Sequence, residues 1–327
     1  MEGKSKSILR RLIPGLVFGF VVFLAVLLVG DLLDVKSQVL GFKWGYYPLV
    51  LFLTLFNYLL RFSKWHYYLG LVGVKDYPLP KSARLFLAGF PLAVTPGKVG
   101  EALKGVWLKK ETGLSVSRGI SVVLAERISD GLGLLMLSTL GAIATPRYWP
   151  VYGLVLAGLI LLILVIQIRP AALWLLELGD NLPLINRLSG NLRELYEGSY
   201  TLFRPKAVLV AVSLGTISWL GEGIGMYLIL LGLGVTPGWA TLSTAVFILA
   251  FSTVIGAIST LPGGLGAAEV SIAGMLTLLL GLSRDSAAAA TLLIRFATLW
   301  FAVGLGLVVW SFSRKLLFSG EERNQSA

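Results

Sequence analysis

Seven ionisable side chains stand inside stretches that are otherwise apolar: Glu101, Glu126, Arg127, Asp130, Glu222, Glu269 and Arg295. Their surroundings repeat. Pro96-Gly97-Lys98-Val99-Gly100-Glu101 is matched by Pro262-Gly263-Gly264-Leu265-Gly266 with Glu269 three residues on, and an arginine follows each acid by 26 residues, Arg127 and Arg295. Proline and glycine break a helix and free backbone N–H groups at the next N-terminus, which carries partial positive charge. Such an end suits an anion, for instance a phosphate head group. Lys98 and Lys104 add charge at the first break, and the guanidinium groups of Arg127 and Arg295 are shaped for bidentate phosphate contacts. Glu126 and Asp130 are four apart and share a helix face, while Glu222 stands beside Trp219, Gly221, Gly223 and Gly225.

A charge at the centre of a membrane helix costs about 2.5–3.5 kcal/mol. Seven facing lipid would cost on the order of 20 kcal/mol, so these groups must face protein or water and pair with one another. A purely structural reading, in which the pairs lock helices together, stays open, although a packing device does not need broken helices. Other chemistries fare worse. Cysteine is absent and His66 is the single histidine, which removes thiol chemistry and multi-histidine metal sites. Pro-Gly-Gly-Leu-Gly has neither the Gly-Lys-Ser/Thr nor the strand of a nucleotide loop. Asp130-Gly131 resembles the start of an alcohol-phosphotransferase signature, but no Asp or Glu follows until Glu177, too few acids for that metal chemistry. No catalytic residue, metal or cofactor is expected.

The elements that hold these residues are membrane helices. Of 327 residues 56% are apolar and 14% charged, and the mean hydropathy is +0.82. Soluble domains carry about 25% charged residues. The fold class expected is an all-α polytopic membrane protein with about 6–8 transmembrane helices. Residues 12–30 read as an uncleaved first span, since the apolar run ends at Gly30-Asp31 without a small-x-small site. A short polar loop follows, then a second span from about 46 to 60 that ends in the basic, aromatic run Arg61 to Tyr68. That run has the composition of a membrane interface, with Arg61 and Lys64 as snorkelling anchors in one reading. Residues 85–95 make an apolar arm worth about 17 Å of helix, half a bilayer, so the first Pro-Gly hairpin should enter and return on one side. Spans at about 119–144 and 150–168 precede an amphipathic connector at 169–206, whose apolar face holds Leu188, Leu192, Leu195, Ser199 and Leu202. A span at 207–233, a hairpin at 239–282 of undecided depth and a span at 286–312 complete a single membrane domain, 1–318, with a polar tail at 319–327.

Basic residues orient this arrangement. Lys36, Lys43, Arg147 and Arg284 fall on one side and Arg127 and Arg295 within the membrane, which leaves 22 of the 28 Lys and Arg on the other. The positive-inside rule then makes both termini cytoplasmic and the net charge of +11 a matter of topology, not of nucleic-acid binding. Under this orientation the first hairpin opens from the cytoplasm and the second from outside. The half-repeats 46–144 and 207–312 therefore have opposite topology, an inverted repeat with two Pro-Gly-broken hairpins, the arrangement that places a transporter's binding site at the breaks.

Four motifs in order, Arg61 through Trp65, Pro96 through Glu101, Glu126 through Asp130 and Pro262 through Glu269, make the chain similar to the lysylphosphatidylglycerol synthase transmembrane-region family, also called flippase-like domain proteins. The resemblance implies a plasma-membrane protein that moves an anionic phospholipid or polyprenyl-phosphate-linked lipid between leaflets. In larger members this domain precedes a soluble aminoacyl-transferase domain. Because this sequence stops soon after its last span, the synthase activity is not carried over and the chain is expected not to be an enzyme. A lipid head-group transferase, or a non-transporting partner of a lipid-modifying enzyme, are the alternatives. The residues expected to contact the lipid are Arg61, Pro96, Gly97, Gly100, Glu101, Lys104, Glu126, Arg127, Asp130, Glu222, Pro262, Gly263, Gly264, Gly266, Glu269 and Arg295.

Overall fold

The computed structural model describes residues 2–29, 31–95, 100–142, 149–180 and 189–313, and among these it is helical without strands. The protein is an all-α polytopic membrane protein. Helix α1 (Glu2–Val29) leads to α2 (Leu32–Gly41) and α3 (Tyr47–Leu71). The first hairpin is α4 (Leu79–Ala88), a 3₁₀ turn at Phe90–Val94 and α5 (Leu103–Thr112), after which come α6 (Val116–Ala142) and α7 (Trp149–Gln167). Helices α8 (Arg169–Asp180) and α9 (Ser189–Leu202) connect to α10 (Pro205–Gly232). The second hairpin is α11 (Trp239–Ile258), a turn at Pro262–Gly264 and α12 (Ala267–Leu280). Helix α13 (Arg284–Arg295) passes through a π turn at Phe296–Trp300 into α14 (Phe301–Phe312). The order helix, hairpin, helix thus occurs twice.

Four helical stretches among the described residues are long and apolar enough to cross a membrane, and five if the α2–α3 pair, bent by 66°, is one span. Helix α6 is long enough at 27 residues, about 40 Å. It carries Arg118, Glu126, Arg127 and Asp130, too many charges to qualify by composition, yet both acids are buried against protein. The first hairpin has two ten-residue arms, each about 15 Å, half the hydrocarbon core. Lys81 Nζ at its start lies 3.7 Å from Glu111 Oε2 at its end, so the chain enters and leaves at one level. Helix α11, at 20 residues or about 30 Å, is long enough to cross alone, and α12 has 14 residues.

Three expectations are corrected. The presumed polar loop after the first span is helix α2: Asp31 caps it by accepting from Leu33 N–H at 2.8 Å, and Val35 turns inward. Helix α3 does not stop near Leu60 but runs on to Leu71, and its basic, aromatic run is interior: Lys64, Trp65, Tyr68 and Leu69 are buried. Lys64 and Arg61 therefore do not snorkel; each finds carboxylates on α6. The connector is two helices, and the face of α9 that carries Tyr196, Ser199 and Leu202 is turned to protein, with Gly198 against Ser121 of α6. Leu188 lies outside the described residues.

Glycine permits the closest approaches. A Cβ on Gly119 of α6 would sit 2.6 Å from Gly105 Cα of α5, so the returning arm of the first hairpin packs backbone to backbone. Helices α3 and α10 run side by side: a Cβ on Gly225 would meet Val50 at 3.4 Å, and one on Gly215 would lie 3.7 Å from Lys64 Nζ.

Candidate functional site

Fully buried Glu126 on α6 draws three cations from three elements. Its Oε1 accepts from Arg61 Nη2 of α3 at 3.1 Å and from Arg127 Nη2 at 2.9 Å, and its Oε2 accepts from Lys104 Nζ of α5 at 3.3 Å. One helical turn on, Asp130 Oδ1 accepts from Lys64 Nζ, while Asp130 Oδ2 lies 3.5 Å from Arg61 Nε. Glu101, at the end of the first break, lies 3.3 Å from Arg127 Nε. The i, i+4 spacing of Glu126 and Asp130 and the i, i+3 spacing of Arg61 and Lys64 face each other across the α3–α6 contact. Aromatic rings complete the shell, with Lys104 Nζ 5.0 Å above Trp65 and Arg61 5.6 Å above Trp219.

Among the described residues this cluster sets four cations against three acids, a net charge of +1. Charges removed from water at such cost are stable only when every one is paired. Arg127 differs from the rest: its side chain is 34% exposed, against 11% or less for Arg61, Lys64 and Lys104. It is the open edge of the cluster.

The second half has a smaller counterpart. Glu269 Oε2 accepts from Gly266 N–H at 2.6 Å and so caps α12, while its Oε1 accepts from Arg295 Nε at 2.5 Å. Arg295 Nη2 also donates to Gly263 O at 3.0 Å. The turn Gly263–Gly266 depends on glycine, because φ is +61°, +68° and +86° at Gly263, Gly264 and Gly266. Arg295 ends α13 just before the π turn, an irregularity that often accompanies functional sites. The Phe90–Val94 turn of the first hairpin meets the second break: a Cβ on Gly263 would lie 3.2 Å from Val94 Cγ1. Tyr58 OH of α3 donates to Thr298 O in the π turn at 2.6 Å and joins the halves again.

Of the expected site residues, the structure brings Arg61, Glu101, Lys104, Glu126, Arg127 and Asp130 into one cluster, with Gly100 tied to Thr95 Oγ1 at 3.0 Å beside it. Pro262, Gly263, Gly264, Gly266, Glu269 and Arg295 form the second. Pro96 and Gly97 lie outside the described residues. Glu222 of α10 belongs to neither: it is buried, and no hydrogen bond or ion pair engages it among the described residues. Lys64 is the member that sequence reasoning left out of the site, taken for an interfacial anchor. Its signal was the i, i+3 step from Arg61, which keeps both on one face. Asn57, one turn earlier on that face, was overlooked although it is a polar residue in an apolar span.

The family model for the lysylphosphatidylglycerol synthase TM region matches residues 15–306, which takes in both clusters and both hairpins. The chain belongs to this family. As one of its members it is similar to a UPF0104 membrane protein of Methanothermobacter thermautotrophicus, 29% identical over 252 residues, 70% of this chain and 71% of that one. It is also similar to a UPF0104 membrane protein of Pyrococcus horikoshii, 27% identical over 262 residues, covering 72% of this chain and 77% of that protein. A second Methanothermobacter UPF0104 membrane protein is 27% identical over 230 residues. Membership of the lysylphosphatidylglycerol synthase TM-region family agrees with the several apolar helices seen here.

Proposed function

We propose that this family member is a lipid flippase that carries an anionic phospholipid or polyprenyl-phosphate-linked lipid between leaflets of the plasma membrane without chemical change. The observation that carries this reading is a buried cluster of net charge +1 beside the meeting point of two broken hairpins, with Arg127 as its open edge. An anionic head group supplies the missing charge, and the guanidinium fork of Arg127 can hold a phosphate while it shares Glu101 and Glu126. The layout suits alternating access, since each hairpin has its own acid–arginine pair and the Phe90–Val94 turn of the first packs on Gly263 of the second. An apolar groove of about 1080 Å³ between α1, α2, the start of α3 and α13–α14, lined by Phe23, Trp44, Tyr47, Phe296 and Trp300, suits lipid chains.

The test is reconstitution into phosphatidylcholine vesicles with trace fluorescent lipids of several head-group classes, followed by chemical quenching of the outer leaflet. The expected result is faster exchange of an anionic class than in empty vesicles, lost in Arg127→Ala. If no class moves faster than in empty vesicles, the reading fails.

A further inference from the structure

The face of α3 that carries the cluster cations is polar for longer than the cluster needs. Val50, Thr54, Asn57, Arg61, Lys64 and Tyr68 recur at three- and four-residue steps and form one stripe. Opposite it on α10, Ala211, Gly215, Ser218, Glu222, Gly225 and Ile229 form another. The two stripes are in register, because Gly215 faces Lys64, Gly225 faces Val50, and a Cβ on Gly221 would lie 3.5 Å from Leu53 O and from Phe56. Glu222 is therefore level with Thr54 to Asn57. Asn57 is fully buried, and neither its Nδ2 nor its Oδ1 has a hydrogen-bond partner. A buried amide left unsatisfied costs about 1–3 kcal/mol, and a lone acid at this depth costs more. Two such groups at one level of adjoining helices mark a site whose occupant is something other than the neighbouring helices.

We propose that Glu222 and Asn57 form a proton-binding site that couples movement of the anionic lipid to proton flow across the membrane. This rests on the flippase reading and adds its energy source. The charged groups around Glu222 make the coupling specific. Helix α3 presents Tyr58 and Arg61, α6 presents Asp130, and Arg295 of α13 faces it from the second half. Helix α11, which also packs on α10, has no ionisable side chain. Arg61 is held by Glu126 and Asp130, and Arg295 by Glu269, so neither is released to Glu222 in this conformation. As a carboxylate, Glu222 neutralises the single excess positive charge of the cluster. When a proton binds the carboxylate oxygen, that excess becomes available to a head group, and when the head group departs the carboxylate can ionise again. Proton and anionic lipid thus favour each other's binding and travel together. Asn57 suits the switch, since an amide is able to donate to a carboxylate and to accept from the protonated acid.

The experiment uses the full chain in phosphatidylcholine vesicles carrying trace fluorescent phosphatidylglycerol or fluorescent polyprenyl phosphate, with a pH-sensitive dye inside. An imposed pH gradient should accelerate exchange in the direction of proton flow, by up to about tenfold per pH unit, the mass-action limit for one titrating site. The dye should record proton entry that needs the lipid. Glu222→Gln should abolish the response to the gradient, and Glu222→Asp should restore part of it. Exchange by the wild-type chain that ignores the gradient overturns this inference and leaves the flippase reading standing. Failure of the wild-type chain to move either lipid overturns the flippase reading and this inference with it.

Discussion

Arg127 and Asp130 stand one turn apart on α6 and do different work. Arg127 is the partly exposed edge, with Glu101 beside its Nε and Glu126 on its Nη2, so part of its fork faces outward. A charge-assisted contact of this kind is worth about 1.5–3 kcal/mol. Arg127→Ala is therefore expected to slow lipid exchange about 10- to 100-fold in reconstituted vesicles, and Arg127→Lys to fall between, since it keeps the charge and loses the planar fork. Asp130 faces inward to a lysine with no water contact. Asp130→Asn leaves Lys64 charged and unpaired, and the expected loss is about 3–5 kcal/mol, read as a lower midpoint of thermal unfolding in detergent. Adding Lys64→Met should recover most of that loss, because two charges that no longer need each other are removed together. A double variant no more stable than Asp130→Asn would show that the pair is not the origin of the effect. The spacing of 26 residues between acid and arginine made both hairpin pairs legible in the sequence. Lys64 was not, because a lysine beside aromatic residues reads the same whether its partner is water or an aspartate 66 residues away.

Elements position these residues through backbone contact as much as through charge. Helix α5 brings Lys104 to Glu126 only because its Gly105 rests on Gly119 of α6. Gly119→Ala places a methyl where a backbone atom stands, and overpacking of this kind costs about 1–3 kcal/mol. The expected outcome is a lower unfolding midpoint together with weaker exchange, as Lys104 is pushed off Glu126. Gly158→Ala on α7 is the control: a Cβ there meets nothing within 4 Å, and alanine favours a helix by about 0.5–1 kcal/mol, so stability should hold or rise. Equal losses in both variants would sink the close-packing account. The half-bilayer arms of the first hairpin were legible because Pro96 and Gly97 interrupt an apolar run that is too short to cross. The true end of α3 and the inward face of α9 were not. Both depend on what packs against a basic or amphipathic stretch, and periodicity alone names the face without naming its neighbour.

At the scale of the molecule, the order helix, hairpin, helix occurs twice, and the proposed orientation gives the two hairpins opposite entrances. The structure itself contains the local part of that statement, since the Lys81–Glu111 contact puts both ends of the first hairpin at one level. The rest comes from charge: 22 of 28 Lys and Arg fall on the side assigned to the cytoplasm. The sequence has no cysteine, so single substitutions at exposed positions can report sidedness without removing native thiols. Lys75→Cys, between α3 and α4, and Lys109→Cys, at the end of α5, should react with a membrane-impermeant thiol reagent only in inverted membrane vesicles. Lys36→Cys on α2 and Arg284→Cys at the start of α13 should react only in intact cells. All four side chains are exposed, so failure to label cannot be blamed on burial. If Lys75→Cys and Lys109→Cys label from opposite sides, the first hairpin crosses the membrane and the inverted repeat is lost. If all four reverse together, the hairpins keep their relation and only the direction of the protein changes, and with it the side from which Arg127 first meets the lipid.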